Sequence, residues 1–227
     1  MINLLEPHSP KGISRYMTSN IFDIYIMRVP EIIFLDSIYP AERKDYILSS
    51  SSENTILQRY GAWKALESAV FNSYSLKMQD INFINNNGKW QCDKLHFSLS
   101  HTDNAVAAAV SSKSCGIDIE AMSRFNKRYS NSEILSKFEK KICAAEESIH
   151  LNNPRDFIEL WTKKESIYKA YFNDTFSARD INTRLYKTIC ESIILDEEYV
   201  FSFCGECLGN YRLFLIDNSS YHPIQIK

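Results

Sequence analysis

Residues 95–119 read Leu-His-Phe-Ser-Leu-Ser-His-Thr-Asp-Asn-Ala-Val-Ala-Ala-Ala-Val-Ser-Ser-Lys-Ser-Cys-Gly-Ile-Asp-Ile. Three strand candidates lie within it, Leu95–Ser100, Ala105–Val110 and Cys115–Ile119, parted only by short polar turns. No helix-length segment separates them, so they pair antiparallel, and the expected class is α+β rather than a doubly wound sheet. Upstream, residues 21–29 are rich in β-branched and aromatic types and predict a strand. From Thr55 to Tyr74 the residues Ile56, Tyr60, Trp63, Leu66 and Val70 recur at helical spacing, predicting a long amphipathic helix. Asn85-Asn86-Asn87-Gly88 predicts a turn. Downstream, residues 131–148 and 155–172 read as helices, the second opened by Asn153 as cap and Pro154 in the first turn. Tyr199–Cys204 and Tyr211–Ile216 read as a closing hairpin. The order implies two halves, 1–112 and 113–227, each a small mostly antiparallel sheet on a long helix, packed together with a cleft between them.

A chain of 227 residues, 44% hydrophobic and 24% charged, buries a core without disulfide or metal staples and is not a disordered chain. Its 26 basic and 28 acidic residues nearly cancel, which argues against whole-chain attraction to nucleic acid or an anionic membrane. A charge-driven partner must use a local patch. One exists between Arg124 and Lys141, where Arg124, Lys127, Arg128, Lys137, Lys140 and Lys141 face only Glu133 and Glu139. The opening Met1-Ile-Asn-Leu-Leu-Glu-Pro7 lacks a basic head and a long apolar stretch, so no signal peptide is expected. The small apolar stretch Ala105–Val110 is far short of the ~20 residues of a membrane span. Cysteines at 92, 115, 143, 190, 204 and 207 are thinly spread, as suits reduced thiols in a cytoplasm. Cys204-Gly-Glu-Cys207 reads as a strand end and turn rather than half of a zinc site.

Three polar islands carry the chemistry. In Gly116-Ile-Asp118-Ile-Glu120 both carboxylates share one strand face while both isoleucines point to a core. Paired acids repel and raise each other's pKa; a hard divalent cation such as Mg²⁺, shared with phosphates, removes that penalty, and two solvated acids on an exposed edge are the bland alternative. In Trp161-Thr-Lys-Lys164-Glu165-Ser-Ile-Tyr-Lys169, Trp161, Glu165 and Lys169 lie on one helical stripe. Glu165 is a third metal ligand or a base, and Lys164 and Lys169 are point charges for phosphate, unless Glu165 and Lys169 form only a helix salt bridge. Phe97-Ser-Leu-Ser100-His101-Thr102 is not a Ser–His hydrolase motif, since neighbours on a strand face opposite ways and no nucleophile-elbow glycines surround them. A histidine there can instead donate to phosphate.

The three islands, in this order and with Gly88-Lys89, resemble the 4′-phosphopantetheinyl transferases, specifically the larger two-half type that activates nonribosomal peptide and polyketide synthetases. The resemblance covers positions 40 to 170. It implies two pseudo-symmetric α+β halves with coenzyme A bound between them, and a self-sufficient monomer. It also implies transfer of the phosphopantetheine arm to a serine of an apo acyl or peptidyl carrier protein, with release of adenosine 3′,5′-bisphosphate. By position, Asp118, Glu120 and Glu165 would hold Mg²⁺. Lys89, Ser100, His101, Lys164 and Lys169 would contact coenzyme A phosphates, with Glu165 and Lys169 at the reaction centre, where Glu165 or a metal-bound water takes the proton of the carrier serine. Arg43 and Arg59 fall near the place of the 3′-phosphate. Trp90 stands where the family usually has proline. Two other classes fit the same residues: an inert coenzyme A or carrier-protein binding module, in which coenzyme A affinity need not require Mg²⁺, and a metal-dependent phosphatase or nucleotide hydrolase, which needs no carrier.

Overall fold

The structure is a computed structural model that describes residues 21–86, 88–126, 132–144, 146–147, 149–217 and 223–226. The chain start read for a leader, Asn87 of the expected turn, and Lys127 and Arg128 of the basic stretch lie outside them.

In chain order the elements are β1 (Phe22–Arg28), α1 (Ala41–Leu48), α2 (Glu53–Tyr74), β2 (Phe83–Asn86), β3 (Lys89–Cys92), β4 (His96–His101), β5 (Ala105–Ser111) and β6 (Cys115–Ala121). There follow α3 (Met122–Asn126), α4 (Ser132–Ile142), α5 (Pro154–Tyr171), β7 (Cys190–Leu195), β8 (Tyr199–Gly205), β9 (Tyr211–Ile216) and β10 (Pro223–Gln225). Five strands form one sheet in the order β10-β9-β1-β5-β4, three form a second in the order β6-β8-β7, and β2 and β3 form a hairpin. The mixed α and β content accords with the expected class.

The alternation along β5 explains the layering. Val106, Ala108 and Val110 pack with Trp63, Leu66 and Val70 of α2. Ala105, Ala107 and Ala109 face the other way, onto Ile117, Ile119, Phe201 and Phe203 of the second sheet. Side chains no larger than valine let both layers close on this strand. The outer face of the second sheet receives α5, whose first turn is capped as expected, Asn153 Oδ1 accepting from the Asp156 amide at 3.0 Å. The layers are therefore α2, five-stranded sheet, three-stranded sheet, α5.

Two expectations are corrected. Tyr199–Cys204 and Tyr211–Ile216 do not form a hairpin: β8 lies antiparallel between β6 and β7, whereas β9 runs parallel to β1 in the other sheet. The reason is burial. β8 is buried along nearly its whole length and needs a neighbour on each side, and the apolar β9 covers the edge that β1 would otherwise leave open. Strands that follow residue 113 thus complete the sheet begun by β1. The helix expected over 131–148 ends at Ile142. Beyond it the chain turns so that the buried Glu147 carboxylate accepts from the amides of Ala144 and Thr183, at 2.7 and 2.8 Å.

Candidate active site

On β6, Ile117 and Ile119 enter the core between the sheets, and Asp118 and Glu120 turn towards α5, as the alternation requires. Gly116 lets α5 come close: a Cβ there would stand 1.9 Å from the Ser166 carbonyl oxygen. That approach brings Glu165 and Lys169 over the acids. Lys169 Nζ donates to Asp118 Oδ1 at 2.7 Å and lies 3.5 Å from Glu165 Oε2. Ser100 Oγ, from β4, donates to the same Asp118 oxygen at 2.7 Å. Asp118 Oδ2 is buried and has no hydrogen-bond partner among the described residues.

Asp118, Glu120 and Glu165 line one cavity of about 560 Å³, with Arg124 at its edge 3.3 Å from Glu120 Oε2. Burial, then the neighbouring Asp118 charge, pushes the Glu120 pKa up to about 7 and raises that of Glu165. Burial opposes the charge on Lys169, but Asp118 and Glu165 outweigh it and hold its pKa above the ordinary value. Among the described residues no three His, Cys, Asp or Glu side chains converge into a ready cation site. Lys169 is the cation that now stands against Asp118 and Glu165.

The Glu120 shift predicts a pH dependence for the protein free of divalent cations. Its folded pKa of about 7 exceeds the ordinary 4.5, so between these values the folded state holds more proton than the unfolded one. The Glu120 contribution to stability should therefore fall as pH rises from 5 to 7, and Glu120→Gln should remove that part of the slope in thermal melts.

Beside the acids lies a basic cavity of about 390 Å³, and His101 and Lys169 line both. Arg43 and Arg59 stand in it together. Arg43 is only 4% exposed, with its guanidinium 4.4 Å from the Trp63 ring centroid, 4.8 Å from Tyr46 and 5.5 Å from Trp90. No carboxylate pairs with it among the described residues: Nη2 donates a long 3.4 Å bond to the Arg59 carbonyl, and Nε has no partner. Burial, with Arg59 adding and Tyr46 opposing, lowers its pKa to about 10, so it stays charged at neutral pH. Arg59 is held by the Tyr46 carbonyl and Ser49 Oγ, at 2.8 and 3.0 Å. A buried cation without a counterion is costly unless an anion arrives, and this one faces a cavity.

Lys89, on the hairpin, lines the same cavity, but its ammonium donates to the Phe172 carbonyl at 2.6 Å and Asn173 Oδ1 at 2.8 Å, at the C-terminal end of α5. Burial lowers its pKa. His101 lines both cavities; desolvation where its imidazole meets the protein, then Lys169, pushes its pKa down.

Lys164 is corrected. It is fully buried, paired with Glu147 at 2.6 Å and bonded to the Ile181 carbonyl, away from both cavities. One helical position separates it from Glu165, which rotates it by about 100° into the core. Of the expected residues the fold therefore gathers Arg43, Arg59, Lys89, Ser100, His101, Asp118, Glu120, Glu165 and Lys169 around two adjoining cavities. In the basic stretch Arg124 and Lys137 pair with Glu120 and Glu133, and Lys140 is exposed. Cys204 lies in β8 and Cys207 in the turn that follows it, and both are buried free thiols.

Residues 114–214 match the model of the 4′-phosphopantetheinyl transferase superfamily (ACPS). The matched segment runs from β6 into β9 and contains Asp118, Glu120, Glu165 and Lys169. The match supports a transferase, with transfer of phosphopantetheine as its general chemistry. None of the curated proteins matches the chain. Among the described residues no helix is long and apolar enough to cross a membrane.

Proposed function

We propose that the protein transfers the 4′-phosphopantetheine group of coenzyme A to a serine hydroxyl of an apo carrier protein, releasing adenosine 3′,5′-bisphosphate. The observation that carries this reading is the junction of the two cavities. An aromatic-walled basic cradle, whose buried Arg43 has no carboxylate partner among the described residues, opens beside three acids of the matched segment, and Lys169 and His101 line both cavities.

In this reading Arg43 and Arg59 take the 3′-phosphate, and Lys169 and His101 take the pyrophosphate where the cavities meet. Asp118, Glu120 and Glu165 are hard oxygen donors around one cavity, with a buried carboxylate oxygen left unbonded, and these features suit Mg²⁺. Mg²⁺ bound there would neutralise charge on the pyrophosphate. The carrier serine attacks the phosphorus on the pantetheine side, and the bond from that phosphorus to the nucleotide phosphate breaks. Glu165, made more basic by its burial, accepts the serine proton. Charge neutralisation and alignment supply the catalysis, as phosphoryl transfer requires. The acidic face of a carrier would meet Lys140 and its neighbours on α4. We read the chain as the two-half type serving nonribosomal peptide or polyketide synthetases, acting as a cytoplasmic monomer, with its halves divided at 112–113 except that β9 and β10 return to the sheet of the first half.

The test is carrier dependence. Adenosine 3′,5′-bisphosphate should appear only when an apo carrier is present, one for each carrier converted. Release without a carrier would establish a hydrolase instead. A second expectation concerns Arg43. Arg43→Leu should weaken coenzyme A binding about 30-fold or more in calorimetry, as loss of a charged hydrogen bond implies, and leave 3′-dephospho-coenzyme A binding unchanged. Equal losses for both ligands would place the 3′-phosphate elsewhere.

A further inference from the structure

Strand β6 is at the edge of its sheet next to β4, at the edge of the other. Its amides of Ile117, Ile119 and Ala121 find hydroxyls there: Ser98 Oγ at 3.1 Å, Ser100 Oγ at 3.2 Å and Thr102 Oγ1 at 3.2 Å. All three hydroxyl residues are buried. A hydroxyl that accepts from an amide still has its own hydrogen to give. Ser100 gives its hydrogen to Asp118, and Thr102 Oγ1 lies 3.4 Å from Glu120 Oε2, on the next rung. Ser98 stands opposite Gly116, which has no side chain to hold. The same arrangement recurs on two rungs, the hydroxyl accepting from an amide of β6 and facing the acid that precedes that amide, with a short bond at Ser100–Asp118 and a long one at Thr102–Glu120.

We propose that Thr102 is a positioning residue for Glu120, and that the two acid-holding rungs, Ser100 and Thr102, set the acids of the site against the basic cradle. The proposal rests on the transferase reading for its catalytic consequence only. Thr102 is itself fixed: its amide donates to the Ala105 carbonyl at 2.8 Å, and its carbonyl accepts from Gln58 Nε2 of α2 at 3.0 Å. Arg124, more than half exposed, competes for the same Glu120 oxygen from outside. Loss of the Thr102 hydroxyl leaves Arg124 as the only one of these two holding Glu120, and the carboxylate swings out of the cavity towards it.

Thr102→Val keeps the shape and removes the hydroxyl; Thr102→Ser keeps the hydroxyl; Ser98→Ala removes a rung that holds no acid. In hydrogen exchange the Ala121 amide should exchange about tenfold faster in Thr102→Val, and at the wild-type rate in Thr102→Ser. The turnover number for carrier modification should fall about tenfold to a hundredfold in Thr102→Val, with the KM for coenzyme A within about threefold, because a displaced acid acts on the reacting centre. Thr102→Ser should restore it, and Ser98→Ala should speed exchange at Ile117 yet keep turnover within about threefold. Equal losses of turnover in Thr102→Val and Ser98→Ala, or no rescue by serine, would overturn the proposal. Crystal structures of the wild-type and Thr102→Val chains test it independently of any activity: the Glu120 carboxylate should move towards Arg124, and an unmoved carboxylate would overturn it. A wild-type chain that fails to modify carriers would refute the transferase reading, and the crystallographic comparison would still decide the role of Thr102.

Discussion

Asp118→Asn should abolish transfer, by about a thousandfold or more, in a protein that still folds. The side chain is nearly isosteric, and its remaining carbonyl oxygen can still accept from Ser100, so β4 stays joined to β6. What disappears is the charge. Among the described residues Lys169 then keeps only Glu165 as an ion-pair partner, at 3.5 Å, and a bound cation would lose its most buried ligand. Two effects on stability oppose each other. The half-buried Lys169 loses its shorter ion pair, whereas Glu120 and Glu165 are freed from a neighbouring like charge. The melting temperature should therefore stay within about 5 °C, a shift that corresponds to roughly 1–2 kcal/mol in a chain of this size. Turnover by mass spectrometry and a thermal melt check both halves of the expectation. An active Asp118→Asn enzyme would remove Asp118 from the list of cation ligands.

Gly116→Ala should damage the fold itself. The new Cβ would lie 1.9 Å from the Ser166 carbonyl oxygen and 2.7 Å from the Ala170 amide nitrogen, both backbone atoms of α5. A side chain can rotate aside, but a helix backbone can only retreat as a body. Helix α5 packs Phe157, Ile158 and Leu160 into one apolar cluster and Ile167 into another, so retreat opens voids in both. A loss of roughly 3 kcal/mol or more is expected, at the upper end for overpacking. Transfer should fall as well, because Glu165 and Lys169 ride on the displaced helix. Urea unfolding measures the first effect as a lowered midpoint at unchanged slope. An unchanged midpoint would mean that α5 does not lie this close to β6.

What the sequence made legible follows from periodicity. Alternation in Gly116-Ile-Asp118-Ile-Glu120 placed both acids on one face, and helical spacing placed Glu165 beside Lys169. Spacing also put Lys164 near this site, but one residue along a helix is about 100°, and only the buried Glu147 shows where that side chain points. The buried state of Arg43 could not be read in advance, since its box joins Tyr46, Trp63 and Trp90 from three elements. The role of Ser98, Ser100 and Thr102 could not be read in advance, since it depends on β6 lying alongside. The pairing of β9 with β1 was hidden for a related reason: two apolar strands joined by a short loop look like a hairpin until the partners of each are known. The strand β2 carries two asparagines, which mask it as a turn.

The most direct test of the central claim is the intact mass of several apo carrier proteins after incubation with this protein, coenzyme A and Mg²⁺, each beside a chelator control. The account predicts a gain of one phosphopantetheine group on at least one carrier, lost when the cation is removed and lost in Asp118→Asn. No gain on any carrier, with coenzyme A binding intact, would contradict it and leave a protein that holds coenzyme A without transferring its arm.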